Sequence, residues 1–110
     1  MPELPEVEAA RRRVERHIVG RRVVAVSAAS DPIVFDGTSR RRLAALRGRE
    51  VVVARRRGKH LWMELDRRPH LLLHFGMSGG LRIVGPGEPP PRFWKLDLGV
   101  EGGRRLVFTD

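Results

Sequence analysis

The sequence predicts an α+β domain, mainly β: an antiparallel β-sandwich flanked by an N-terminal helix and a second short helix. Three observations carry this. The first stretch has apolar residues at helical spacing. The second half is a series of short apolar strands broken by Gly and Pro. The last two strands are joined by Glu-Gly-Gly, a hairpin turn. At 110 residues with 41% hydrophobic content, the chain is sized for one domain with a modest core.

PEVEAARRRVERHIVG reads as an amphipathic helix. Val7, Ala10, Val14 and Ile18 fall on one face, Pro5 and Glu6 suit the start, and Gly20 suits the stop. Arg11, Arg12, Arg13 and Arg16 fall mainly on other faces, as a solvated surface would place them. RRVVAVSAAS follows as a strand. DPIVFDGT reads as turn, short strand and turn, and Ser39 caps a short helix SRRRLAALRG closed by Gly48. From there the pattern is β. REVVVARRR is a strand that turns basic. KHLWMELD alternates Leu61, Met63 and Leu65 against His60, Trp62 and Glu64. HLLLHF reads as a buried run, and GGLRIVG, FWKLDLGV and RRLVFTD complete the set. PGEPPP is an exposed loop, since a proline run cannot occupy a central strand.

The formal charge is +9 and the pI near 11.6, carried mostly by Arg. Such a field favours a polyanion, nucleic acid ahead of an anionic membrane surface, although an Arg-, Ala- and Gly-rich composition also follows from GC-rich coding. With no cysteine there is no disulfide and no Cys-based zinc site in these residues. No apolar run approaches the roughly 20 residues of a membrane span, and no signal-peptide core is present. An intracellular, soluble protein without a membrane is the expectation.

Three constellations could carry chemistry. In MPE, removal of Met1 would leave Pro2 with a free secondary amine beside Glu3. A terminal amine titrates near about 8, against about 10.4 for lysine, so it is the better nucleophile for a sugar carbon at neutral pH, with Glu3 as acid/base. The competing reading is an ordinary start to a chain. In RRRGKH, Gly58 bends the chain between Arg57 and Lys59 and could hold a phosphate, or be a basic surface turn. In HFGMSGG, the glycines could let backbone approach a ligand and put Met77 on an exposed tip as a wedge between bases; otherwise Met77 packs inward in a tight turn.

Together and in this order, MPELPEVEAARR, RRRGKHLWMELD, LLLHFGMSGGLRI and the terminal LVFTD resemble the N-terminal catalytic domain of the formamidopyrimidine-DNA glycosylases. The likeness covers essentially the whole chain. Leu4 stands where the endonuclease VIII branch typically has glycine, so the resemblance is to the formamidopyrimidine branch, and RRGKHLWMELD is closer to plant-type members. It implies a bifunctional DNA glycosylase/AP lyase of base-excision repair that excises oxidised purines from damaged double-stranded DNA. Two alternatives stay open: a non-catalytic basic DNA-binding module, and an endonuclease VIII-like enzyme acting on oxidised pyrimidines. By the resemblance, Pro2 is the Schiff-base nucleophile and Glu3 the acid/base. Lys59 contacts phosphate and assists catalysis, and Glu6 supports the site. His74 and Arg57 bind DNA, and Met77 fills the gap left by the flipped base. Family members continue through a DPRRFG-like segment, a helix–two-turn–helix region and a finger that often holds zinc. The expectation is therefore a single N-terminal catalytic domain over residues 1–110, a fragment acting as a monomer, with no cofactor or metal of its own and zinc only in the missing finger. It would work in the bacterial cytoplasm and nucleoid, or in the nucleus of a eukaryote.

Overall fold

The computed structural model describes residues 4–29, 43–68, 70–76 and 79–110. Among these residues one helix, α1 (Leu4–His17), precedes seven strands: β1 (Val23–Ala28), β2 (Val51–Arg57), β3 (His60–Leu65), β4 (Leu71–His74), β5 (Gly80–Val84), β6 (Trp94–Val100) and β7 (Arg105–Thr109). They form two antiparallel sheets, a four-stranded one in the order β1-β6-β7-β5 and a three-stranded one in the order β2-β3-β4.

Helix α1 forms where the spacing predicts. Val7, Ala10, Val14 and Ile18 are all fully buried, and Pro5 and Glu6 occupy the first turn with Arg16 and His17 in the last, matching the helix dipole. Gly20 at φ 87° makes the exit that a residue with a Cβ would resist. The backbone then pairs with the start of β2: the Gly20 N–H donates to the Val51 carbonyl (2.7 Å) and the Val51 N–H to the Arg21 carbonyl (2.9 Å). The helix lies over β2, β3 and β5 and so spans both sheets.

One core joins the layers, with Leu61, Met63 and Leu73 from the small sheet and Leu81, Leu98 and Leu106 from the large one. Phe75 meets Phe108 edge-on, ring centroids 5.5 Å apart, across the sheets. Burying each such side chain contributes on the order of 1.5–3 kcal/mol. In β3 the alternation holds as read: Leu61, Met63 and Leu65 face in. In β4 it corrects the expectation of a continuously buried run. Leu71 and Leu73 face the core, but Leu72 is 60% exposed, because the small sheet has one face on the core and the other in solvent.

The Glu-Gly-Gly hairpin closes as expected, with Gly102 and Gly103 at φ 92° and 91° and the Val100 N–H donating to the Arg104 carbonyl at 3.0 Å. The PGEPPP loop is largely exposed and fastened by Arg105. Its guanidinium forks onto Asp97 (2.7 and 3.1 Å) and donates to the carbonyls of Gly85 (2.9 Å) and Glu88 (2.6 Å). Asp97 in turn raises the Arg105 pKa. The strand and turns expected in DPIVFDGT and the Ser39 cap lie outside the described residues. Of the second short helix, the described part is a turn at Leu43 and Ala44, whose carbonyls accept from the Leu46 and Arg47 N–H groups (3.1 Å each) before Gly48 at φ 83°.

Candidate nucleic-acid interface

The basic stretch of β2 divides by position. Arg55 donates to Glu64 (2.6 Å), a carboxylate that also accepts from the Trp62 indole (3.2 Å); Trp62 first and Arg55 second hold the Glu64 pKa low. Arg56 reaches the helix and donates to Glu8 at 3.1 Å. Glu8 also accepts from Arg11 (2.8–3.1 Å) and Arg12 (3.2 Å). These hydrogen bonds, Arg11's foremost, pull its pKa to about 2. The arginines of α1 are thus not simply a solvated face, since Arg11 also donates to the Ala54 carbonyl of β2 (3.4 Å). Arg57 and Lys59, beyond Arg56, have no acid partner among the described residues.

Gly58, at φ 59°, turns the chain between them. The register then sets Arg57 opposite His60 and His60 opposite His74. Directly paired residues share a sheet face, so these three form one row across β2, β3 and β4. All are exposed. The two imidazoles stack with centroids 4.4 Å apart and planes 8° from parallel. His60, the last residue of RRRGKH but given no DNA-binding role from sequence, stands between Arg57 and His74.

Lys59 connects this row to the helix start. Its carbonyl accepts the Phe75 N–H at 2.9 Å. Phe75 lines a hollow of about 370 Å³ with Glu6, Arg13, Gly79, Gly80 and Thr109. The β2–β3 turn, the first turn of α1 and the 75–79 turn therefore converge on Phe75. The last of these is closed by the Gly79 N–H donating to the Phe75 carbonyl (2.7 Å). A Cβ on Gly79 would lie 2.4 Å from that oxygen, so glycine here lets the chain close on its own backbone at Phe75. Arg13, exposed as the sequence predicts, also lines this hollow. Phe75 and Arg13 were missed because helical and strand periodicity mark the core and do not report which loops meet. Pro2, Glu3 and Met77 lie outside the described residues.

A turn whose cations find no acid among the described residues, beside an acid-bearing helix start, suits a sugar-phosphate ligand. The family description "Formamidopyrimidine-DNA glycosylase N-terminal domain" matches residues 1–110. The chain belongs to this family. It is 42% identical over 120 residues to the formamidopyrimidine-DNA glycosylase of a Nocardioides species, covering 100% of the chain and 39% of the relative. To the Arabidopsis thaliana enzyme it is 37% identical over 124 residues, covering 100% and 32%. The fold superposes with TM-score 0.86 on the Lactococcus lactis glycosylase solved with DNA containing an abasic site (28% identity, 99% of this chain, 40% of that one). It does so equally on the wild-type glycosylase of that organism bound to DNA containing N7-benzyl-Fapy-dG (30% identity, 99% and 40%). The chain spans about two fifths or less of the length of these relatives. As a formamidopyrimidine-DNA glycosylase N-terminal domain it is mainly β with one helix leading, and no described helix is long and apolar enough to cross a membrane.

Proposed function

We propose that this chain supplies the catalytic part of a DNA glycosylase/AP lyase that removes oxidised purines from duplex DNA. The observation that carries the reading is the convergence on Phe75 of the Glu6-bearing helix start and the Lys59 turn, whose cations find no acid among the described residues, in a chain that opens MPELPEVE.

The damaged nucleotide leaves the stack, as base-directed chemistry requires. The Pro2 nitrogen attacks C1′, the bond from C1′ to the base breaks, and the base departs with the electron pair and a proton. Glu3 handles protons on the opening sugar, and the nitrogen retains C1′ as a Schiff base. Loss of a C2′ proton expels the 3′ phosphate, and a second elimination expels the 5′ phosphate. Lys59 offsets charge on the phosphate and Glu6 supports the site. Arg57 and His74 hold the strand, and Met77 occupies the space of the flipped base. This chemistry draws on an amine and carboxylates and on no cofactor or metal in these residues; zinc belongs to a finger in longer members. The enzyme acts as a monomer on damaged double-stranded DNA, wherever the cell keeps its DNA.

Borohydride trapping on abasic DNA tests the reading. Chain lacking Met1, checked by intact mass, forms a covalent adduct. Chain retaining Met1 does not, because the amine is displaced by a residue of about 3.5 Å, and a misplacement of about 1 Å already costs on the order of 100-fold. Equal trapping by both forms would move the nucleophile elsewhere, to Lys59 first. DNA binding with no adduct from either form would make the chain a binding module.

A further inference from the structure

Phe93 is the only described non-glycine residue with a positive φ, 65°. It is also 63% exposed. A left-handed backbone is costly for an aromatic residue, and glycine would adopt it freely. Burial does not explain the choice, since little of the ring is buried. Neighbouring structure imposes the conformation. Three prolines precede Arg92 in the sequence, the Phe93 carbonyl accepts the Asp110 N–H at 3.1 Å, and β6 begins at the next residue. Strain held in place by its surroundings and carrying an exposed side chain points to use of that side chain.

The Arg92 guanidinium lies over the Phe93 ring, 4.7 Å from its centroid. Stacking of this kind uses the flat face of the guanidinium and leaves its in-plane N–H donors for a planar or tetrahedral oxyanion. No carboxylate pairs with Arg92 among the described residues. By contrast, Arg105, from the other side of the same loop, is fully engaged. The pair also stands at a telling end of the large sheet. Trp94, next to Phe93, is in register with Thr109, which is in register with Gly80. Thr109 and Gly80 line the hollow that holds Glu6.

We propose that Arg92 and Phe93 form a further DNA contact, in which the strained ring presents the guanidinium to a backbone phosphate of the strand entering the site. This rests on the DNA-repair reading above and adds residues that reading does not use. The ligand is a phosphodiester, and the contact is indifferent to sequence and to damage.

The test is fluorescence anisotropy of the 110-residue chain with a duplex carrying a tetrahydrofuran abasic analogue, and with an undamaged duplex, across a salt series. Arg92→Ala weakens both about tenfold and lowers the slope of log K against log salt by about one, the signature of one lost phosphate contact. Arg92→Lys keeps the slope, since the charge remains, but not the full affinity. Phe93→Gly weakens binding severalfold while the thermal midpoint stays equal or rises, because the backbone strain is relieved. Wild-type affinity and slope in Arg92→Ala would overturn the inference and leave the repair reading standing, as would a lowered midpoint in Phe93→Gly. A parent chain with no salt-dependent DNA binding would overturn both.

Discussion

The two clearest hairpin turns use the same backbone device for opposite ends. The β2–β3 turn carries Arg57, Gly58 and Lys59; the β6–β7 turn carries Glu101, Gly102 and Gly103. Both depend on glycine at positive φ. The second turn is tied to the rest of the protein. The Glu101 carboxylate accepts from the Arg22 N–H (3.1 Å), its carbonyl from the Arg21 guanidinium (3.0 Å), and its N–H donates to the Arg22 carbonyl (2.9 Å). Among the described residues the first turn leaves both of its cationic side chains without an acid, although acids lie within reach of the two arginines just before it. A basic turn that satisfied itself would be structure; one that withholds its charges is available to a ligand.

The largest expected effect follows from that difference. Lys59→Met should lower strand cleavage at abasic sites about 100-fold, as removal of a positioned electrostatic donor commonly does, with the urea midpoint unchanged. Glu101→Ala should do the reverse, leaving cleavage intact and lowering stability by about 0.5–1.5 kcal/mol through loss of the carboxylate's hydrogen bond from the Arg22 N–H. A destabilised Lys59→Met, or an inactive but stable Glu101→Ala, would break the distinction between the two turns.

Gly79→Ala ranks next and sharpens the role of the turn that meets Lys59. The new methyl would collide with the backbone of Phe75, within 3 Å of three of its atoms, and backbone cannot swing aside. A loss of about 2–3 kcal/mol is expected, read by chemical denaturation. At Gly58 a Cβ meets nothing within 4 Å, so Gly58→Ala should cost only the left-handed conformation, about 1–2 kcal/mol, and Gly58→Asn less. If Gly58→Ala proved the more damaging, the 75–79 turn would not be the tightly closed element of the pair.

Much of this was legible in the sequence, and the limits are physical. Val7, Ala10, Val14 and Ile18 identify the helix, and Leu61, Met63 and Leu65 identify β3, because periodicity reports which face meets the core. Leu72 escaped because three leucines in a row carry no alternation, so local pattern could not distinguish a two-sided strand from a one-sided one. His60 beside His74, and Lys59 against Phe75, depend on register between strands, which no single segment encodes. The strain at Phe93 is equally invisible, since FWK reads as an ordinary strand start.

The smallest effect concerns the acid that the first turn's neighbours do find. Glu8 is bound by Arg11, Arg56 and Arg12, which lower its pKa from 4.5 to about 2. Because the folded value is depressed, the stabilisation is fully present above the unfolded value and is lost as pH falls from about 4.5 toward about 2. The carboxylate is partly open to solvent, which screens the gain. Unfolding midpoints measured from pH 6 to pH 2 should therefore show a shallow acid decline in the parent chain that is reduced in Glu8→Gln, while the two variants of the turns keep the parent's slope. Glu8→Gln should also release Arg56 toward the Arg57 end of β2, raising the salt slope of DNA binding slightly rather than lowering it. An unchanged acid limb in Glu8→Gln would mean that the arginine cluster holds the helix to β2 by packing of its aliphatic stems, not by charge.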